Sequence, residues 1–153
     1  MTYLAYLGLG SNIGERELNM LLAIRELKNN VGTILQQSEL YYTMPVDFDS
    51  ENYFVNQVVA IATQLNPHQL LTTTQRIELL MGRDTKTING IHRDRIIDID
   101  LLKMFSLCGH NSCQITISDE HLTLPHPKIG LRPFVTLPLL QIATAPCHSE
   151  EKM

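Results

Sequence analysis

Cysteine is scarce. The three residues, Cys108, Cys113 and Cys147, are an odd number that suits a reducing compartment better than a disulfide scaffold. The segment Cys108-Gly-His110-Asn-Ser-Cys113 lacks the C-x-x-C spacing and second ligand pair of a zinc knuckle, so it reads as a loop with two ordinary thiols. Long apolar runs are missing too: nothing approaches the ~18 residues that cross a membrane. The opening MTYLAYLGLGSN has no basic n-region, so no signal peptide is expected and the default location is cytoplasmic. No internal repeat and no low-complexity linker divides the chain. A G-K-[ST] phosphate loop is absent, and Gly8, Gly10 and Gly14 are spaced G-x-G-x-x-x-G, which misses the dinucleotide fingerprint. Those glycines read as tight-turn chemistry at a strand end. The aromatic run of single-strand RNA readers is also absent, and a net charge of -4 argues against a general polyanion binder.

What is present is the composition of a folded protein. With 153 residues, 44% hydrophobic and 18% charged, the chain is long enough for one domain with a real core, spanning 1–153. A first strand is expected over Tyr3 to Leu9, then a helix from Glu15 to Asn30 whose apolar face is Leu18, Leu21, Leu22, Ile24 and Leu27. Strands follow over Thr33 to Tyr42 and Phe54 to Gln64, joined by a long polar loop from Thr43 to Asn52. The next helix is well signalled. Asn66 is a natural N-cap, Pro67 fits the first turn, Gln69 completes a capping box, and Leu70, Leu71, Thr74, Ile77 and Met81 form the buried face up to Gly82. A strand through Asp98 and Asp100, a short strand near Gln114 to Ile117, and a short helix around Leu131 to Leu140 complete the pass. The order β-α-β-β-α-β, with additions, predicts an α+β, ferredoxin-like antiparallel sheet with helices packed on one face. Its other face is then left for a ligand.

The stretch RIIDIDLL, beginning at Arg95, sets two carboxylates in a run that otherwise reads as buried strand. Alternation places Asp98 and Asp100 on one face and Ile97, Ile99 and Leu101 on the other. Like charges this close repel and lower β-propensity. Either that face is wet, or a divalent cation sits between the carboxylates. Just upstream, Arg83, Lys86, Arg93 and Arg95 crowd into one loop in which Asp84 and Asp94 are the only acids. This is either a self-neutralising surface or a phosphate site, in which carboxylates take Mg²⁺ and guanidiniums grip phosphate oxygens.

Taken together, GLGSNIG, TMP at Thr43 to Pro45, YFVNQVV, QRIELLMGR, RIIDIDLL and LTLPHPKIGLRPFVTLPLLQIA resemble the 6-hydroxymethyl-7,8-dihydropterin pyrophosphokinase family of folate biosynthesis. The blocks occur in the family's order and cover nearly the whole chain. The resemblance implies the ferredoxin-like fold and transfer of pyrophosphate from ATP to the pterin hydroxymethyl group, releasing AMP. It implies two Mg²⁺ ions on Asp98 and Asp100, with Arg83 and Arg95 clamping the triphosphate. ATP contacts would fall on Gln75, Glu78, Arg83, Arg95, Leu101, Thr123, His126 and Arg132. Asn56 would hydrogen-bond the pterin edge between Phe54 and Phe134, with Thr43, Met44 and Val46 completing the pocket. His92 stands where the family has a Trp that closes over the pterin, and His92-Arg93-Asp94 replaces the usual aromatic-Gly-Pro. His121 occupies a position where a basic nucleotide contact is common, and Pro127 follows His126 in place of an aromatic residue or Asp. The implied partners are small molecules, with no nucleic acid or membrane, and a monomer is expected. A diverged or inactive relative that binds pterin or nucleotide is the alternative.

Overall fold

The structure is a computed structural model; it describes residues 2–43, 53–82, 87–88, 91–92, 96–131 and 135–142, with backbone only at 87, 88, 91, 92 and 131. In chain order the elements are β1 (Thr2–Ser11), α1 (Arg16–Asn30), β2 (Gly32–Gln37), β3 (Tyr41–Thr43), β4 (Phe54–Thr63) and α2 (Pro67–Leu80). There follow β5 (Thr87–Ile88), β6 (Ile91–His92), β7 (Asp98–Cys108), β8 (Asn111–Gln114), β9 (Ile117–Ser118) and β10 (Thr123–Leu124). A 3-10 turn spans Ile129–Leu131, and residues 135–142 form a third helix, α3. The main sheet runs β2-β4-β1-β7-β8, with β3 also on β4, and every pairing is antiparallel. That order is the split β-α-β arrangement the sequence predicts, with a β7–β8 hairpin added. No helix among the described residues is long and apolar enough to cross a membrane.

Sheet alternation makes two cores. Ala5, Leu7 and Leu9 of β1, Val55, Val59 and Ile61 of β4, and Ile99, Leu101 and Met104 of β7 face the α1–α2 layer, where Met20, Ala23, Ile24, Leu27, Leu70 and Ile77 meet them. The opposite face carries Leu4, Tyr6, Val58, Ala60 and Leu102, roofed by Leu139 and Ile142 of α3. The second face is therefore only partly free. A register shift between Tyr6 and Leu7 in the β1–β7 ladder marks a bulge. It lets Leu102 join the second core while Lys103 reaches over the rings of Tyr6 and Phe105, at 5.2 and 5.7 Å.

Helix α2 forms for the reasons its sequence states. The Asn66 side chain accepts the Gln69 N–H at 2.9 Å, and Gln69 Oε1 accepts the Asn66 N–H at 2.9 Å. Helix α1 is rotated from expectation. Leu18 and Leu21 are 51% and 65% exposed, and the buried face is Met20, Ala23, Ile24 and Leu27. The spacing i, i+3, i+4, i+7 fits that set better, and weighting Leu above Ala and Met hid it. The strand expected over Thr33 to Tyr42 breaks into β2 and β3. At the break, Ser38 Oγ accepts the Val58 N–H at 3.0 Å and its carbonyl accepts from Gln57 Nε2 at 2.7 Å. The strand expected over Gln114 to Ile117 is also divided. Gln114 ends β8, and Ile117 pairs with Leu124 in a separate ladder. Leu131, where the final helix was expected to begin, closes the 3-10 turn Ile129–Leu131, and residues 135–142 are helical. Cys108 and Cys113 are exposed and free, but the loop expected to carry them is the β7–β8 hairpin, with Cys108 ending β7 and Cys113 on β8 opposite Ser106; Cys147 and His148 fall outside the described residues.

Candidate active site

The open half of the second sheet face is built from facing strand residues. Paired residues of antiparallel strands share a face. Register places Asp98 opposite Gly10, Gly10 opposite Asn56, and Asn56 opposite Tyr41, in one row across four strands. The adjoining rows hold Asp100, Gly8 and Val58, and Phe54 opposite Thr43. The structure thus brings Asp98, Asp100, Asn56, Phe54 and Thr43 onto one surface, as proposed from the sequence. The two aspartates are half-buried, at alternate positions of a strand and therefore about 6.6 Å apart along it.

Gly8 and Gly10 lie inside β1, and the expectation that they serve turn chemistry is corrected; of the GLGSNIG glycines, Gly14 alone has a positive φ, +75°. Their role is the floor of the site. A Cβ at position 10 would lie 3.1 Å from Asn56 Oδ1 and 3.5 Å from Phe54 Cδ1. A Gly inside a strand often marks a close approach, and the G-x-G alternation was the available signal. Asn56 is buried, and its Nδ2 donates to Thr43 Oγ1 at 3.0 Å, which fixes the amide's orientation with Oδ1 over the glycine floor.

The outer edge of β7 supplies the second wall. Glu78, 3% exposed on α2, turns its Oε2 onto the Ile99 N–H at 2.7 Å. The Leu102 carbonyl accepts the His126 N–H at 2.8 Å, which sets His126 beside the aspartate strand. His126 Nδ1 accepts the Lys128 N–H at 3.1 Å, so in the neutral ring the proton sits on Nε2. Thr123 is exposed on β10, held by pairing with Ser118. Gln75 is exposed on α2, one turn before Glu78. Leu101 is the exception: its side chain is in the helix-side core, so only its main chain is available to a ligand.

The turn leading to Thr123 is organised by Asp119. Its Oδ1 accepts the His121 and Leu122 N–H groups at 2.8 Å each, and its Oδ2 meets His68 Nε2 at 2.8 Å. The His121 N–H, then the His68 ring and the Leu122 N–H, pull its carboxyl down to about 2. A cluster the sequence reading missed joins α1 to the chain on both sides of the 44–52 segment. The Tyr42 hydroxyl donates to Glu17 Oε2 at 2.8 Å, and the Arg16 guanidinium stands 4.1 Å over the Tyr53 ring. Tyr42 and Tyr53 are 6.0 Å apart. The shared hydrogen bond holds the Glu17 carboxyl down and pushes the Tyr42 phenol up. Aromatics at loop boundaries beside an Arg were the available signal.

Met44, Val46, Arg83, Lys86, Arg93, Asp94, Arg95, Arg132 and Phe134 lie outside the described residues, as does the His92 side chain. The donor set that is described suits Mg²⁺. It offers two hard carboxylates over a floor without Cβ atoms, and no third His, Cys, Asp or Glu completes a cluster among the described residues. Such a set leaves the remaining positions of an octahedral shell to phosphate oxygens and water.

Solved chains of similar fold include one described as HPPK-DHPS in complex with substrates, with TM-score 0.65 and 17% identity over 93% of this chain. A second is Plasmodium falciparum HPPK-DHPS with SDX-DHP, with TM-score 0.64 and 18% identity over 91% of this chain. This chain spans 40% of each of those longer chains. Among curated relatives, a 2-amino-4-hydroxy-6-hydroxymethyldihydropteridine pyrophosphokinase of Porphyromonas gingivalis is 39% identical over 92% of this chain and 90% of its own. One of the same name from Bacillus subtilis is 37% identical over 99% of this chain and 83% of its own. With residues 6–144 also matching the model of 7,8-dihydro-6-hydroxymethylpterin-pyrophosphokinase, the chain belongs to that family of folate-synthesis enzymes.

Proposed function

We propose that this pyrophosphokinase, acting as a monomer, transfers the β,γ-pyrophosphoryl group of ATP to the hydroxymethyl oxygen of 6-hydroxymethyl-7,8-dihydropterin. The hydroxymethyl oxygen bonds to the β-phosphorus, the bond from that phosphorus to the α,β-bridging oxygen breaks, AMP leaves with the electron pair, and the hydroxyl proton passes to solvent. The observation that carries the reading is the row Asp98–Gly10–Asn56, which sets a carboxylate and a buried, oriented amide on either side of a glycine floor.

Phe54 offers a ring face beside the floor, and the buried Asn56 amide reads the edge of a flat heterocycle, held in orientation by Thr43. Met44, Val46, His92 and Phe134 complete that pocket in the proposal. Across the aspartates, His126 presents Nε2–H to phosphate oxygens, and Gln75, Thr123, Arg132 and the Leu101 main chain bind the nucleotide. Arg83 and Arg95 clamp the triphosphate, where guanidinium forks match phosphate oxygens. Asp98 and Asp100 would hold two Mg²⁺ ions, which when bound neutralise phosphate charge and stabilise the charge that spreads during transfer. The net charge of -4 supports small-molecule substrates over nucleic acid. A register shift between Ile34 and Gln36 of edge strand β2 discourages pairing with another chain and supports the monomer.

Incubation with Mg-ATP and hydroxymethyldihydropterin should release AMP and form the pterin diphosphate in equal amounts. Pterin binding without AMP would overturn the assignment and identify a binding protein.

A further inference from the structure

We infer that Glu78 is a positioning residue for the aspartate pair, acting through the main chain of β7 and not through the nucleotide. The inference rests on the pyrophosphokinase reading and departs from the nucleotide contact that the family resemblance suggests for this position.

Ile99 is the residue between Asp98 and Asp100, and its N–H points away from β1 to the outer edge of the strand, where Glu78 Oε2 receives it at 2.7 Å. At that edge β8 pairs only with Phe105 to Cys108, so among the described residues no strand supplies an acceptor for Ile99. The edge is instead closed piecewise: Glu78 at Ile99, the His126 N–H at Leu102 and the Ile115 N–H at Met104. A carboxylate acceptor gives a shorter bond, roughly twice as strong as a neutral one. Its side chain is 3% exposed and sits on a helix anchored by Thr74 and Ile77, which are 0% and 1% exposed.

The consequence is geometric. Asp98 and Asp100 flank the Ile99 residue on the same face, so rotation of its peptide tips both carboxylates together. Pinning the Ile99 N–H holds the pair in one arrangement, and a site held by a packed second layer keeps its geometry more tightly than one left to the strand alone.

The test compares Glu78→Ala, Glu78→Gln and Glu78→Asp. Gln keeps the length and one acceptor oxygen, whereas Asp keeps the charge but is one methylene short. In ligand-free protein, Ile99 amide exchange should accelerate at least ~10-fold in E78A and E78D but not in E78Q, with the Leu7 amide unchanged in all three. In turnover, E78A and E78D should lose at least ~50-fold in kcat with KM for ATP within ~3-fold, and E78Q should keep kcat within ~5-fold. If E78A does not fold, the contrast between E78Q and E78D carries the test. Unaltered Ile99 exchange in E78D, or a raised KM for ATP with kcat intact, would overturn the inference. The exchange measurement needs no turnover, so wild-type protein that makes no AMP would refute the proposed function without touching the Ile99 result.

Discussion

Replacing Gly10 by Ala adds a single methyl to the floor of the site, and its consequences can be worked out atom by atom. The new Cβ would stand 3.1 Å from Asn56 Oδ1 and 3.5 and 3.7 Å from two ring carbons of Phe54. The first distance is a few tenths of an ångström too short, so the Asn56 amide must move. Its bond to Thr43 Oγ1, 3.0 Å long, is then at stake. For folding, the two effects oppose each other: Ala in a strand interior gains about 0.5–1 kcal/mol over Gly, and a lost neutral hydrogen bond costs about 0.5–1.5 kcal/mol. Tm should therefore shift by no more than ~3 °C. For pterin, the orienting amide is displaced while the Phe54 ring, at an ordinary contact distance, stays in place; losing about 1.4 kcal/mol raises KM ~10-fold. Gly8→Ala is the control, because its Cβ would meet only Leu102 side-chain atoms at 3.4 to 3.6 Å, an ordinary contact. AMP release at saturating ATP, measured across pterin concentrations, reads the difference. A G10A enzyme with pterin KM within ~2-fold of wild type would refute the reasoning that this floor contacts the substrate.

Three further outcomes follow from the same structure. Asn66→Ala removes the acceptor for the Gln69 N–H and should cost about 1 kcal/mol, lowering Tm by ~2–4 °C without changing kcat. Leu27→Ala, at a position with no exposure in the helix-side core, should cost about 2–5 kcal/mol by chemical denaturation. Asp119 titrates at about 2, below its ordinary value, so the stability it contributes is present above pH ~4 and is lost as pH falls through about 2. NMR titration should find its carboxyl inflecting near 2; Asp119→Asn should remove that inflection and leave a protein less stable at pH 6, with stability depending less on pH between ~4 and 2.

Much of the fold was legible because local signals and long-range topology agree. Asn66, Pro67 and Gln69 write a capping box that the structure contains, and the alternation of RIIDIDLL predicted which way both aspartates face. The rotation of α1 was missed because Leu18 and Leu21 are apolar yet exposed, and neither their chemistry nor their spacing excludes the buried stripe through Met20 and Ala23. The break between β2 and β3 depends on the side chains of Ser38 and Gln57, nineteen residues apart, which no local propensity reports. In the site, residue types were legible and their partners were not. The resemblance made Glu78 an ATP contact, and only the fold reveals its buried carboxyl group on the Ile99 N–H. Gly8 and Gly10 were misassigned to turn chemistry because a strand glycine gains meaning only from the side chains of the neighbouring strand.

We propose that Asp98 and Asp100 share a strand face because together they would hold Mg²⁺ against the phosphates of ATP. Mg²⁺-dependent binding of an unreactive ATP analogue, followed calorimetrically in wild type, Asp98→Asn and Asp100→Asn, tests it most directly. The account predicts Mg²⁺-dependent affinity in the wild type, its loss in each variant, turnover down by at least ~100-fold and Tm within ~3 °C of wild type. Full magnesium-dependent affinity in either variant would contradict it.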